Sequence, residues 1–442
     1  MSELQAEGIA PAEQLAHPRR SDPVAFVRGQ LRETHVQLLA AQVLTGGVAM
    51  AANVLMARAL SPTGRGEVAL ILQVVYLATQ VLLLGTERSF MAGYHGVAPA
   101  AAVRAYARLL IVPSVVAVIA AAGFAAVAPA RFNPGPGIIA LIACYSITEA
   151  VILGTRAIAV AVGRMHDFLY ARAADSLLLL VLLVVLYATG VTHAAVWVIA
   201  YLFASVVPTV VQIVTWLRLP APATATPVSA AQNRLVRREG LTLFPAALSN
   251  MAMLRADRLA LPALASTAAL GLYASVATMT ELLAWPLRAY ADSRLGRWRA
   301  AHRDGRLRSR PLVLAATFYA LVVTPIVAGG MYLLIVPIFG ERYAAAKAVV
   351  VPLVAAAGLY AVSRVCLGLL IAKGHGGLVS SAEICGFVAS FVAYLLLIPP
   401  YGIAGAAYGS LVGYGACLVF AIVAARFAGS RTATRDKGAS MP

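Results

Sequence analysis

The residues with most chemical potential in this chain are ionisable groups set inside long apolar runs. Arg255, Asp257 and Arg258 interrupt LSNMAMLRADRLALPAL. At about 100° per helical residue, Arg255 and Arg258 share a face, while Asp257 aligns with Asn250, seven residues earlier. Glu149 and Arg156 recur seven apart in a second apolar run, and Glu281 and Arg288 do so in a third. Arg364 and Glu383 occupy two more. A charge in an apolar span costs several kcal/mol unless it faces water or a partner. Salt bridges between helices are the expected reading for Glu149, Arg156, Arg364 and Glu383. Arg288 is expected near a membrane edge. For Arg58, Arg255 and Arg258, which sit at related places in the two halves, a binding role is expected; paired guanidiniums offer bidentate hydrogen bonds to an oxyanion. Asp257, Glu281 and Glu149 are the candidate proton or cation sites.

The elements that must position these groups follow from composition. Of 442 residues, 61% are hydrophobic and only 12% charged, with mean hydropathy +0.83. Soluble chains run near 25% charged residues, so the solvent of this chain is lipid. A cytosolic enzyme, a secreted domain and a nucleic-acid-binding module are excluded on that ground. The net charge of +17 then reads as basic cytoplasmic loops, among them an arginine-rich one over 294–310. No cofactor or metal is expected. The seven histidines show no ligand spacing. Cys144, Cys366, Cys385 and Cys417 form no C-x-x-C and read as small packing residues. No G-x-x-x-x-G-K-[ST] is present to hold ATP.

A spanning helix needs about 20 mostly apolar residues. Twelve stretches qualify: 36–58, 67–86, 106–128, 137–160, 173–190, 194–217, 241–262, 269–291, 312–337, 345–371, 378–399 and 403–426. With a cytoplasmic N-terminus, inside segments carry about 25 Lys and Arg and outside segments only about five. The outside ones are Arg58, Arg65, Arg131, Arg342 and Lys347. Both termini are therefore expected in the cytoplasm. The expected organisation is a polar tail over 1–35, a six-helix bundle over 36–217, a linker over 218–240, a second bundle over 241–427 and a basic tail over 428–442.

The two bundles echo each other. The first span ends Asn53-Val-Leu-Met56-Ala-Arg58, and the seventh contains Asn250-Met-Ala-Met253-Leu-Arg255. A glycine opens the following span in each case, Gly66 and Gly271. The offset grows from 197 to 205 residues, which implies a duplication with an eight-residue insertion in the second half.

Four stretches carry a family resemblance. ARALSPTGRGEVALILQVVYLATQVLLLG resembles the first two helices of bacterial polysaccharide flippases, within the multidrug/oligosaccharidyl-lipid/polysaccharide exporter superfamily. LRADRLALPALASTAALGLYASVATMTELL resembles their seventh and eighth helices. LLIVPIFGERYAAAKAVVVPL is similar to the link between their ninth and tenth, and IPPYGIAGAAYGSLVGYG to the opening of the last. The order and spacing of these motifs over residues 36–427 carry the likeness, since each is loose. The resemblance implies an all-α polytopic fold, two six-helix bundles in a V around a central cavity. It implies alternating-access flipping of a polyprenyl-pyrophosphate-linked oligosaccharide to the outer leaflet of a bacterial inner membrane. It places Arg58, Arg255, Arg258, Asn53 and Asn250 in the cavity. Implied partners are the lipid-linked oligosaccharide, the bilayer, and polysaccharide polymerase or glycosyltransferases, without nucleic acid.

Two other transporters fit the same fold: a drug or metabolite-cation antiporter, which favours acidic cavity residues, and a flippase of peptidoglycan precursor. A membrane enzyme using a polyprenyl-linked donor needs a sizeable acidic or histidine-bearing outer loop. The outer connections here are short and hold almost no acid beyond Glu341, so no catalysis is expected.

Overall fold

In the computed structural model, residues 34–94, 96–127, 134–221 and 226–438 are described. The first 33 residues, and so nearly all of the polar tail, lie outside them, as does Arg131. The first half contains α1 (Thr34–Ala59), α2 (Pro62–Leu83), a short α3 (Thr86–Gly93), α4 (Pro99–Val127), α5 (Pro136–Ala161), α6 (Met165–Ala188) and α7 (Ala194–Arg218). The second contains α8 (Ala230–Leu264), α9 (Thr267–Arg303), α10 (Ser309–Phe339), a 3₁₀ turn (Glu341–Ala346), α11 (Lys347–Ala372) and α12 (Gly376–Gly438). Each of the twelve apolar stretches is helical over most of its described length, because lipid leaves the backbone no partner outside its own helix.

Helix α12 is two spans. It breaks at Gly402, whose φ of 54° and ψ of −125° belong to a region only glycine enters without strain. Its arms fold back on one another along Gly405, Gly409 and Gly413. A Cβ on those three would meet the Leu397 carbonyl, the Tyr394 ring and the Ser390 side chain, all closer than 2.5 Å. That ridge is packing within the fold.

Within the first half, α1 packs on α6, α6 on α7, and α5 on α2, α4 and α7. Within the second, α11 packs on α9, α10 and α12, and α12 also on α8. The halves meet chiefly where α2 crosses α9. There the two glycines that open the second span of each half face each other. A Cβ on Gly66 would stand 1.9 Å from the Thr267 carbonyl oxygen, and one on Gly271 would stand 1.8 Å from that of Pro62. Pro62 and Thr267 each begin their helix, four residues before the glycine. The contact is thus the same on both sides, and it lies at the end of the molecule where α1 meets α2 and α8 meets α9.

Two expectations change. The linker over 218–240 is not a loop throughout: Ser229 caps α8, its hydroxyl accepting from the Gln232 N–H at 3.0 Å, and residues 230–240 are helical. This extension straps to the first half. Ser89 donates to the Val236 carbonyl (2.9 Å), Gln232 to the Gly93 carbonyl (2.5 Å), and Tyr94 bonds Asn233. The arginine-rich segment from 294 is likewise helical as far as Arg303, a continuation of α9.

Candidate functional site

Helices α8 and α9 are antiparallel neighbours joined by Ala265 and Ser266. Side chains lean toward the N-terminus of their own helix, so arginines on α8 and an acid further along α9 lean toward each other. They converge on one carboxylate. Arg255 Nη1 donates to Glu281 Oε1 at 3.1 Å, and Arg258 Nη2 donates to the same oxygen. The shared face expected for Arg255 and Arg258 is what allows this. Glu281 is therefore bound across to α8 rather than paired along its own helix with Arg288. Arg255 also lies over the ring of Tyr76 on α2, 5.3 Å from its centroid, which brings the first half to the cluster.

Asp257 points into a separate polar chain. Its carboxylate accepts from the Tyr273 hydroxyl at 2.6 Å and from the Arg258 backbone N–H at 2.8 Å. Tyr273 continues to Ser410 (3.2 Å), and Ser410 to Tyr394 (2.9 Å). The chain ties α8, α9 and both arms of α12, and it sits in the packed interior of the second half.

A cavity of about 420 Å³ opens beside these groups. Its walls are α8, α9, α11 and the second arm of α12, with Arg156 of α5 as the contribution of the first half. The cavity is thus sited mostly in the second half, not symmetrically between the bundles. Its ionisable lining is Arg156, Arg255, Arg258 and Arg288 against Asp257 and Glu281, an excess of positive charge. Arg255 and Arg258 share Glu281. Arg156 and Arg288 are exposed and form no ion pair among the described residues. One comes from each half. The cavity role of Arg156 and Arg288 was missed in the sequence, where Arg156 is expected in a salt bridge between helices and Arg288 near a membrane edge.

The other candidate residues go elsewhere. Arg58 is not in the cavity. Its Nε and Nη2 each donate at 2.7 Å to the carbonyls of Ile338 and Pro337, the exposed acceptors that end α10 and attract a cation. Asn53 is 1% exposed, and its amide donates to the Ser275 carbonyl of α9 at 2.8 Å and accepts from Arg65 at 2.9 Å. It links the halves and does not line the cavity. The side chain of Asn250 lies outside the described residues. Glu149 belongs to a polar group within the first half, hydrogen-bonded to Tyr145 and near Arg172 and Asp175. Arg172 and Asp175 pair at 2.8 Å, and Arg364 and Glu383 pair at 3.0 Å between α11 and α12. The latter is the salt bridge expected for those two residues. No cluster suited to a metal occurs among the described residues.

No protein-family profile matches the sequence, and no curated protein matches it by sequence. Solved structures do match its fold. One is an inward-facing multidrug-resistance MATE family transporter of the MOP superfamily, with TM-score 0.65, 14% identity, and coverage of 90% of this chain and 99% of that one. Another is the lipid II flippase MurJ in an inward closed conformation, with TM-score 0.64, 9% identity and coverage of 88% and 87%. A third is an outward-facing multidrug-resistance MATE family transporter, with TM-score 0.54, 15% identity and coverage of 90% and 95%. The chain has the fold of these membrane transporters.

Proposed function

We propose that the chain is a flippase that carries a lipid-linked anionic headgroup, a polyprenyl-pyrophosphate-linked oligosaccharide, across a bacterial inner membrane. The observation that carries this reading is the charge of the cavity. Both of its acids are engaged, Glu281 by two arginines and Asp257 by Tyr273, whereas Arg156 and Arg288 stand free and face it from opposite halves. An organic cation meets there a Glu281 carboxylate whose charge two arginines already outweigh. A pyrophosphate finds guanidiniums, whose planar donor sets suit its oxygens. Charge neutralisation lets the headgroup leave water, and the lipid tail stays in the bilayer. The termini face the cytoplasm, so the end closed by Gly66 and Gly271 is the outer one, and the cavity loads from inside. The halves then rock about the cavity in alternating access. Asp257 with its tyrosine–serine chain is the candidate coupling-ion site, and Glu149 an additional one. Polymerase and glycosyltransferase partners on the same pathway complete the proposal.

The test is made in a host that depends on this protein for surface polysaccharide. Arg255→Ala/Arg258→Ala and Arg156→Gln/Arg288→Gln, each expressed at the level of the parent protein, should lose export and accumulate lipid-linked oligosaccharide on the cytoplasmic leaflet. Normal export by both double variants removes the cavity role. A deletion that alters only tolerance to cationic drugs turns the reading toward the antiporter.

A further inference from the structure

We infer that Arg65 is a second anion-binding station, covered in this conformation, that receives a phosphate-type oxyanion when the outer end opens. The inference rests on the alternating-access reading above. By sequence, Arg65 is one of the few outside loop arginines, a residue after SPTG. In the structure it is 4% exposed, in the first turn of α2. One of its donors is used: Nη2 bonds Asn53 Oδ1 at 2.9 Å. Nε and Nη1 are buried without a hydrogen-bond partner, and so is the hydroxyl of Tyr343, which is 0% exposed. Tyr343, Tyr201 and Arg258 are all within electrostatic reach of Arg65.

A buried guanidinium with two idle donors is costly. Arg58 spends its donors on the carbonyls of α10, and Arg255, Arg258 and Arg364 each leave only Nε buried and idle and have a carboxylate, whereas Arg65 leaves two donors idle. No carboxylate pairs with Arg65 among the described residues. Its cover is also specific, because Arg65 is the neighbour of Gly66, and the contact of Gly66 with Thr267 is what holds the outer end shut. Parting α2 from α9 therefore uncovers Arg65 in the same movement. Arg258 lines the cavity below it, so an anion released by the cavity arginines meets Arg65 next on the way out. The outward-facing transporter of this fold is the conformation in which such a station works.

The test uses wild-type protein in right-side-out membrane vesicles, treated with the impermeant arginine reagent p-hydroxyphenylglyoxal and read by peptide mass spectrometry. Arg342, exposed at the same end, reports that the reagent has arrived. The expected result is slower modification of Arg65 than of Arg342, slowed further by inorganic or farnesyl pyrophosphate by roughly tenfold, the scale of one charge-assisted contact, but not by potassium chloride of equal ionic strength. Stronger protection by farnesyl pyrophosphate than by inorganic pyrophosphate assigns the station to a lipid headgroup, and equal protection assigns it to the free anion. An unmodified Arg65 beside a modified Arg342 overturns the inference, leaving a structural latch. So does modification that pyrophosphate does not slow. Inverted vesicles separate the two levels of the argument: if pyrophosphate fails to protect Arg156 and Arg288 there, the cavity reading fails, whatever happens at Arg65.

Discussion

Replacing Gly66 by alanine should part α2 from α9 at the end where the two glycines meet. A Cβ at this position would stand 1.9 Å from the Thr267 carbonyl oxygen, and carbon–oxygen contacts settle at about 3.3 Å or beyond. The obstacle is backbone, so no side chain can turn away. Helices α2 and α9 must part by about 1.4 Å, and overpacking of this kind costs about 1–3 kcal/mol. A cost borne only by the closed conformation shifts the population by about 5–150-fold. Gly271→Ala, 1.8 Å from the Pro62 carbonyl oxygen, should do the same from the other side. Gly64→Ala is the control, since its Cβ meets nothing nearer than 3.6 Å. Spin labels at Thr63→Cys and Ala265→Cys, both exposed beside the contact, report the separation by pulsed electron resonance once the four native cysteines are removed. Longer distances in both tight variants and not in Gly64→Ala are expected. Unchanged distances in Gly66→Ala would refute the claim that this crossing is the closing contact.

Further outcomes can be checked on the same protein. Arg364→Leu removes a charge-assisted bond to Glu383 and should lower stability by about 1.5–3 kcal/mol, and Arg364→Leu/Glu383→Leu should recover part of it, both read as melting shifts in detergent. Arg58→Ala removes two bonds at the end of α10 and should cost about 1 kcal/mol while leaving lipid translocation unaltered. Tyr273→Phe leaves Asp257 without its 2.6 Å donor and should destabilise by about 1–3 kcal/mol, seen as a lower melting temperature. Gly402→Ala forces a side chain into a backbone region it avoids, at a cost of about 1–3 kcal/mol, also read by melting.

The spans were the most legible feature, because lipid imposes a length and an apolarity that are written directly in the sequence. The Arg364–Glu383 pair was legible for a similar reason, opposite charges in adjacent spans. What failed was partner choice. Glu281 reads in the sequence as a candidate proton or cation site, yet α8 brings two arginines to it from across the hairpin. Arg58 and Arg255 occupy matching positions in the two repeats, but their surroundings differ. One meets the open end of α10, and the other meets Glu281 and Tyr76. Arg65 has the local sequence of a loop arginine, yet it is buried, bonded to Asn53 beside the glycine at which the halves meet. The helical extension 230–240 and its strap to α3 follow from contacts more than a hundred residues apart in the chain, which local periodicity does not encode.

Translocation of a polyprenyl pyrophosphate by the purified chain tests the central claim most directly. The protein is reconstituted in liposomes with a fluorescent polyprenyl pyrophosphate, and the label reaching the opposite leaflet is followed by reductive quenching. The wild type should accelerate translocation over protein-free liposomes and leave the matching neutral polyprenol where it is. Arg156→Gln/Arg288→Gln should slow translocation by roughly tenfold or more, the loss expected for charge-assisted contacts to the headgroup. Equal translocation of the charged and neutral lipids, or an undiminished rate in that double variant, would contradict the account.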